Sequence, residues 1–227
     1  MKAKINNCNL LVCEMCKGCK PEWLPAIHAH RKIIQFKKGQ QLFKENEPVK
    51  GMFFINEGLV KVHKYWNDEK ELILRFAKAG AIAGHRGLGA DTIYPVSATA
   101  LLPTTACFVE LDFFIATLKV NPDYLFNLML FFAAELKESE KRMRNLAHMS
   151  TKGRIADALL RLQEKFGLDE NKFIHINLSR HDMAAYTGTT YETLFRMMNE
   201  LAEEGIIEMN SKLMRIIDPE KLSQCIK

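Results

Sequence analysis

The spacing of hydrophobic and polar positions changes twice along the chain. Between residue 31 and about residue 118, apolar and polar side chains alternate over short runs separated by glycines, as in residues 31–36, 52–66 and 71–80. An alternation of two predicts β-strands, and many short strands with glycine turns favour a sandwich or jelly roll over a βαβ arrangement. Asn67-Asp68-Glu69 is predicted to be a hairpin loop between two of these strands.

From Pro122 to about His148 the apolar spacing lengthens to alternating steps of three and four residues. This repeat over three heptads predicts a long helix with a coiled-coil seam, and charged residues border it. A polar seam residue, Ser139, is of the kind that sets register or lines a ligand site. The alternative is a long helix packed only on its own sheet. The apolar seam residues are Leu125, Met129, Phe132, Leu136, Met143 and Leu146.

The C-terminal third predicts two short helices joined by a glycine. Ser179 and Asp182 form a capping-box-like start for the first helix, and Gly188 supplies the left-handed residue that closes it. Thr190 is the predicted cap of the second helix. Its inward stripe has helical spacing and comprises Leu194, Met197, Met198 and Leu201.

Two more elements complete a winged-helix pattern. Short apolar runs on both sides of Asn210-Ser211-Lys212 predict a β-hairpin directly after the second helix. An earlier helix is predicted from Arg154 to Phe166. A helical hairpin followed by a β-hairpin is typical of DNA-binding domains in which the second helix enters the major groove.

Composition bounds these expectations without deciding them. The chain has 227 residues and a net charge of +5, yet residues 151–227 carry eleven basic and twelve acidic side chains. DNA binding must therefore depend on local presentation of cations such as Arg180 and Arg196. No apolar run is long enough to span a membrane, and residues 1–20 lack a secretory apolar core, which predicts a cytoplasmic protein with no membrane partner.

Taken together, the order of elements and four short motifs resemble the Crp/Fnr family of bacterial transcription regulators. The motifs are Lys38-Gly39-Gln40, Ile55-Asn56-Glu57-Gly58, Gly153-Arg154-Ile155-Ala156 and residues 191–196, Tyr-Glu-Thr-Leu-Phe-Arg. The resemblance implies an α+β fold comprising an N-terminal double-stranded β-helix (jelly roll), a long dimerisation helix and a C-terminal winged helix-turn-helix. The expected segments are a cysteine-rich segment (1–24), a cyclic-nucleotide-binding-like sensor (25–120), a dimerisation helix (121–149) and a DNA-binding domain (150–227).

The same resemblance implies a homodimer that binds a partly palindromic double-stranded operator and contacts RNA polymerase. A Glu-x-x-x-Arg pair on the recognition helix falls on Glu192 and Arg196; Glu can accept from cytosine and Arg can bind guanine. The alternative is an i, i+4 ion pair. Tyr191 and Phe195 replace the arginine and small residue usual in the family, so a different operator is expected. The predicted DNA contacts are Arg180, Thr189, Thr190, Tyr191, Glu192, Thr193 and Arg196.

The family's effector pocket is expected at Gly84, His85, Arg86, Ser97 and Ser139. Cyclic-AMP-binding relatives have a Gly-Glu pair for the ribose and an Arg-Ser pair for the phosphate. Here His85 replaces the glutamate and Tyr94-Pro95 replaces the Arg-Ser pair. The sequence therefore predicts no useful binding of cyclic AMP, since a buried phosphate needs a cationic partner. His85 and Arg86 could instead serve another anionic effector or form a solvated pair.

Four cysteines lie close together at Cys8, Cys13, Cys16 and Cys19. Closely spaced thiolates can hold an iron–sulfur cluster or zinc, and Lys17 and Lys20 are expected to lower the thiol pKa values. Oxygen- or nitric-oxide-sensing relatives hold a [4Fe–4S] cluster with such cysteines, often with a fourth ligand from the β-roll; Cys107 lies near that place, although the aligned position is Val109. A thiol switch, structural zinc and no metal stay open, as does haem, for which no histidine is selected.

Two other function classes compete with a regulator. A cupin-like enzyme would need clustered histidine and glutamate ligands, but residues 31–118 contain only His63 and His85 as histidines. A stand-alone electron carrier would use the cysteines and leave the winged-helix half without a role. The sequence thus favours a regulator and predicts no enzyme activity.

Overall fold

The N-terminal region is built from two four-stranded antiparallel sheets. The computed structural model describes residues 13–67 and 70–226. One sheet has the strand order β1-β8-β3-β6 and the other β2-β7-β4-β5, which is the two-sheet jelly roll predicted from the alternating pattern. The strands are β1 (Arg31–Phe36), β2 (Gln41–Phe43), β3 (Gly51–Glu57), β4 (Leu59–Tyr65), β5 (Glu71–Lys78), β6 (Ile82–Ala83), β7 (Ser97–Ala100) and β8 (Thr104–Glu110).

Aromatic residues fill the space between these sheets. Phe43 stacks on Tyr94 with ring centroids 4.2 Å apart, and on Phe53 at 5.6 Å. On the opposite face of the first sheet, Phe54 is also almost completely buried, and its ring centroid lies 6.1 Å from that of Phe114. Such dense packing leaves the β-roll stabilised mainly by its own apolar core.

Within the described residues, three α-helices flank the strands of the N-terminal region. Short helices α1 (Glu14–Gly18) and α2 (Leu24–His30) precede β1, and α3 (Leu111–Val120) follows β8. The prediction of strands up to about residue 118 is therefore wrong for residues 111–118. Phe114 and Thr117 are fully buried at a helical spacing of three, so burial of one helix face decides the outcome.

The long helix α4 spans Pro122–His148, the bounds predicted from its heptads. Tyr124 and Leu128 lie on a buried face of α4. Most seam residues of the first two heptads lie on a different face, where Met129 and Leu136 are 54% and 60% exposed. Phe132 is the exception, because it packs against the β-roll core, with its ring centroid 5.2 Å from that of His85. The helix therefore has one apolar face that packs within its own chain and a second that is open in a single chain.

The C-terminal elements have the winged-helix order. They are α5 (Thr151–Phe166), α6 (Arg180–Thr187), α7 (Tyr191–Glu203), β9 (Ile207–Asn210), β10 (Leu213–Ile216) and α8 (Pro219–Gln224). Helix α5 begins three residues earlier than predicted because Ser150 caps it by accepting from the Gly153 amide. The buried core of the winged-helix domain contains Ile155, Leu159, Met183, Leu194 and Leu201.

The described residues divide into two compact units. The first contains the residues up to Lys64 together with Leu74–Glu135, and the second contains Tyr65–Ile73 and the residues from Leu136 onward. The tip of the β4–β5 hairpin thus groups with the winged-helix half. Among the helices of the described residues, none combines the length and hydropathy needed to cross a bilayer.

Candidate nucleic-acid interface and sensor sites

Helices α6 and α7 are fixed by the local signals that the sequence carries. The Ser179 hydroxyl accepts from the Asp182 amide at 3.0 Å, and the Thr190 hydroxyl accepts from the Thr193 amide at 3.3 Å. Each such cap stabilises a helix by about 1 kcal/mol. Gly188 ends α6 with φ +65°, and a Cβ there would lie 2.6 Å from Leu146 Cδ2. The left-handed backbone conformation therefore favours glycine at this position, whereas the Leu146 side chain could shift to admit a Cβ.

The outward face of α7 begins at its N-terminal turn. Tyr191, Glu192, Phe195 and Arg196 are exposed, whereas Leu194 and Met198 are buried on the opposite side. Helix N-termini carry partial positive charge and unpaired amides, which favour contacts with phosphate. This face has the shape and polarity that a recognition helix needs in a DNA groove.

The side chains of Glu192 and Arg196 make no ion pair with each other or with any other described residue. The i, i+4 ion-pair alternative is therefore not what the structure contains. An unpaired guanidinium and an unpaired carboxylate one helical turn apart present one donor group and one acceptor group to solvent. That combination is able to read the edges of a guanine and a cytosine.

Arg180 is engaged within the protein, in contrast to the expected free cation. Its Nη2 donates to the carbonyl of Ser211 at 2.8 Å, in the turn of the β9–β10 hairpin, and lies 3.4 Å from Met209 Sδ. Burial lowers the pKa of the guanidinium. The geometry makes Arg180 a residue that holds the wing against α6.

Two arginines outside the predicted interface position the helical hairpin. Arg154 donates to the carbonyls of Thr187 and Gly188 at 3.1 and 3.4 Å, which accounts for the arginine in the Gly-Arg-Ile-Ala motif. Arg142, near the end of α4, donates to the carbonyls of Ile73 and Tyr186 at 3.1 and 2.9 Å. Sequence reasoning missed Arg142 because its partners are 69 and 44 residues away in sequence.

The predicted effector residues His85 and Arg86 converge on a carboxylate of the long helix. Glu135 Oε2 accepts from His85 Nε2 at 3.1 Å and from Arg86 Nη2 at 3.0 Å, and Arg75 Nε lies 3.2 Å from Oε1. His85 is 1% exposed, and burial lowers its pKa, so it is neutral near pH 7. These side chains therefore form a buried ion-pair cluster rather than a solvated pair.

The remaining effector residues have different surroundings. Gly84 has φ +93° and starts a short 3-10 turn that presents His85. Ser97 is buried on β7 and accepts from the Glu45 amide at 3.0 Å, whereas Ser139 is exposed on α4. Tyr94 is also buried and donates to the Gly51 carbonyl at 2.7 Å. Where cyclic-AMP-binding relatives have an arginine, this chain therefore has a tyrosine committed to its own core.

Replacing Glu135 with glutamine is expected to lower the unfolding free energy of the β-roll by about 2–4 kcal/mol at pH 7. Burial raises the pKa of Glu135, but the His85 hydrogen bond and the charges of Arg75 and Arg86 outweigh it and bring the pKa from 4.5 to about 2. The stabilisation is therefore complete above pH 4.5 and is lost as the pH falls towards 2.

Urea denaturation of Glu135→Gln and of the wild type at pH 7, and at steps below pH 4.5, measures this difference. Glu140→Gln, at an exposed position of the same helix, is the matched control and should leave the unfolding free energy unchanged. Equal stability of Glu135→Gln and wild type at pH 7 would show that the cluster contributes nothing.

Three of the predicted ligand cysteines lie in a short helical segment near the start of the described residues. Cys13, Cys16 and Cys19 are each less than 9% exposed, around helix α1. Burial, with a contribution from Cys13, raises the pKa of Cys19 to about 12, so the expected lowering by nearby lysines is wrong for this thiol. Cys8 lies outside the described residues. Cys107 is buried on β8, paired with Ile33 and Phe54.

Whether these thiols suit a metal centre is decided by their chemistry and surroundings. No three histidine, cysteine, aspartate or glutamate side chains among residues 13–67 and 70–226 are grouped to hold a metal ion. The thiols nevertheless share one buried environment with Tyr124, whose hydroxyl has no hydrogen-bond partner in the described part of the chain. Burial first, and then Cys19 and Cys13, raise the pKa of Tyr124. Thiolates are the ligands that zinc and iron–sulfur centres use, so the donor type of Cys13, Cys16 and Cys19 fits such a centre.

The cysteine segment is fastened to the following elements by hydrogen bonds. The Lys20 amide donates to Asn121 Oδ1 at 2.8 Å, and Trp23 Nε1 donates to Thr117 Oγ1 at 3.1 Å. The Gly18 backbone packs so closely on the Tyr124 ring that a Cβ would lie 2.4 Å from Cδ2. The cysteine segment is therefore in direct contact with the start of α4.

Comparisons with known proteins agree with this architecture. The family model of the Cyclic nucleotide-binding domain matches residues 33–121, and that of the Crp-like helix-turn-helix domain matches residues 153–225. The chain is 26% identical to the Transcriptional activator protein FnrA of Stutzerimonas stutzeri, covering 80% of this chain and 75% of the relative. It is 26% identical to Electron transport regulator A of Shewanella oneidensis, covering 88% and 80%.

Another relative and a solved structure extend the comparison. The chain is 23% identical to the CRP-like cAMP-activated global transcriptional regulator of Mycobacterium tuberculosis, covering 92% of this chain and 94% of the relative. FixK2 from Bradyrhizobium japonicum has a similar fold, with a TM-score of 0.77, 21% identity and coverage of 87% of this chain and 98% of that one. The named relatives are regulators, so the comparisons support neither the cupin-like enzyme nor the electron carrier.

Proposed function

The chain belongs to the Crp/Fnr family of DNA-binding transcription regulators, and from that premise we propose that it binds a partly palindromic operator as a homodimer. Two copies place their α7 helices in successive major grooves, about one helical turn apart. Residues 25–120, together with the cysteine-rich segment 1–24 that precedes them, form the sensor half, residues 121–149 form the dimerisation helix, and residues 150–227 form the DNA-binding domain. The DNA-bound dimer contacts RNA polymerase in the cytoplasm.

This proposal rests mainly on Glu192 and Arg196, two side chains on the outward face of α7 that make no ion pair among the described residues. Arg196 donates to guanine and Glu192 accepts from cytosine in each half-site. Thr189, Thr190 and Thr193 lie at the N-terminal turn, where hydroxyls and amides contact phosphates. Arg180 contributes by holding the wing in place, and Tyr191 completes the set of groove-facing residues.

The exposed apolar face of α4 supports the dimer. Leu125, Met129, Leu136 and Met143 are between 47% and 64% exposed in a single chain. Leu146 extends the same row at seam spacing and is 38% exposed, whereas the predicted seam residue Phe132 packs against the β-roll core of its own chain. A contiguous apolar stripe of this length is characteristic of a surface that a partner covers.

We propose further that the cysteine segment is the sensor and that it responds to redox state, oxygen or nitric oxide. The proposed ligands of the thiolate-bound centre are Cys8, Cys13, Cys16 and Cys19. Cys107 of the β-roll is the alternative fourth ligand. A bound [4Fe–4S] cluster would supply reactivity towards oxygen and nitric oxide. The protein's part is to bury the thiols and to fasten them to α4 through Asn121 and Thr117.

Cyclic AMP is not the effector in this proposal. The phosphate-binding arginine is replaced by Tyr94, whose hydroxyl is bonded to Gly51, and the ribose-binding glutamate is replaced by His85, which is bonded to Glu135. Gly84, Arg86, Ser97 and Ser139 complete the corresponding region. An effector entering here would have to displace the Glu135 carboxylate, which costs the ion pairs that it makes.

Arg196→Ala is expected to weaken operator binding by about 1–3 kcal/mol per half-site and to relax the preference at one base pair. The reason is the loss of a guanidinium that has no structural partner in the described chain. Fluorescence anisotropy with an operator selected from random duplexes measures the affinity at fixed salt concentration.

Lys221→Ala, which removes an exposed positive charge from α8, is the matched control and should bind with wild-type affinity. An Arg196→Ala protein with unchanged affinity and unchanged base preference would remove Arg196 from the recognition surface.

A further inference from the structure

Three aromatic rings form a continuous row on the groove-facing side of the helical hairpin. His181 of α6 stacks on Tyr191 with ring centroids 4.7 Å apart, and Tyr191 stacks on Phe195 at 6.3 Å with an interplanar angle of 11°. The rings of Tyr191 and Phe195 remain 38% and 50% exposed. We call these two residues the aromatic strip.

The aromatic strip does not contribute to the core of the winged helix. The buried face of α7 consists of Leu194, Met198 and Leu201, on the opposite side of the helix. Leaving a phenylalanine ring half exposed forgoes part of the stabilisation that its full burial would provide. Its position is therefore better explained by contact with another molecule than by the stability of this chain.

The neighbours of the strip indicate a nucleic acid as that molecule. Phe195 directly precedes Arg196, and Tyr191 directly precedes Glu192, so the strip borders the polar pair along the helix. The rise over four residues of a helix, about 6 Å, corresponds to roughly two base-pair steps of about 3.4 Å. The strip and the polar pair therefore face the same short stretch of major groove.

The major groove offers one apolar group on the base edges, the C5-methyl of thymine. Phenylalanine and other apolar side chains contact it, whereas guanine and cytosine edges present only polar groups there. Resting on the DNA-binding function proposed above, we propose that Tyr191 and Phe195 read thymine methyl groups next to the base pairs contacted by Glu192 and Arg196. The strip thereby sets the operator preference of this chain.

Deoxyuridine tests the proposal because it removes the methyl group and leaves the base-pairing unchanged. The full-length protein is first used to select its operator from random duplexes. Each thymine of one half-site is then replaced singly by deoxyuridine, and affinity is measured at fixed salt concentration. One or two replacements per half-site are expected to weaken binding about threefold to tenfold, the effect of losing one buried methyl group.

Variants assign the effect to the ring. At one of the sensitive thymines, the one that Phe195 contacts, Phe195→Ala should bind the thymine and deoxyuridine duplexes equally, because that contact is gone from both. Phe195→Leu, which keeps an apolar side chain, should retain most of the discrimination. Thermal unfolding of both variants checks that the fold is kept, which is expected because Phe195 is exposed.

Two outcomes overturn the inference, and they differ. If an operator is selected but every deoxyuridine duplex binds as tightly as its thymine parent, the aromatic strip does not read methyl groups, while the regulator proposal stands. A strip that contacts a protein such as RNA polymerase would give that result. If no sequence is selected from the random duplexes, the DNA-binding proposal fails together with the inference.

Discussion

The double variant Met129→Glu with Leu136→Glu is expected to convert the dimer into monomers and to abolish specific operator binding. Both side chains are more than half exposed in a single chain, so their substitution leaves the core of that chain intact. In the dimer they face the partner helix, where four added carboxylates would be buried without counter-charges. Each unpaired buried charge costs several kcal/mol, which exceeds what a seam of three heptads can compensate.

The control uses the same substitutions on the opposite side of α4. Asn127 and Ala134 are exposed and, by the 3.6-residue repeat, point away from the seam. Sedimentation velocity should show a dimer for Asn127→Glu with Ala134→Glu and a monomer for the seam variant, with equal helicity by circular dichroism. A seam variant that stays dimeric would place the dimer interface on another surface.

Replacing Cys13, Cys16 and Cys19 together with serine is expected to abolish metal binding and the response to oxygen. Three serine hydroxyls cannot replace three thiolates as ligands of an iron–sulfur cluster. The wild type, purified without oxygen, should contain iron and sulfide and show visible charge-transfer absorption that fades in air. The variant should be colourless under the same conditions.

Cys225→Ser is the matched control, since this half-exposed cysteine follows α8 and lies far along the chain from the cysteine segment. It should load iron as the wild type does. A colourless wild type with one zinc per chain would replace the redox proposal by a structural site. A wild type without metal would leave a thiol switch, detectable by thiol titration before and after oxidation.

Local signals were sufficient to predict the elements that present the candidate interface. Ser179, Gly188 and Thr190 each act through atoms within three or four residues, so their caps and the glycine turn are readable from sequence. The same is true of the α4 heptads. By contrast, residues 111–118 were misread as strand because their run of apolar and β-branched residues hides the helical face that Phe114 and Thr117 bury.

Side-chain roles that depend on distant partners were not predictable. Arg180 was expected to face DNA, but a carbonyl 31 residues away accepts from it. His85 and Arg86 were expected to line a ligand pocket, but Glu135, about 50 residues later, accepts a hydrogen bond from each of them. Arg142 has no local motif at all. In each case the sequence identifies the cation, and only the folded chain identifies its anion or carbonyl.

In the proposed complex, two copies of this chain present two α7 helices to one duplex. The most direct measurement is the stoichiometry and footprint of the complex with operators selected from random DNA. We expect two chains per duplex and two inverted half-sites with centres about 10–11 base pairs apart. Enrichment of single half-sites bound by one chain, or no enrichment at any metal or redox state, would contradict it.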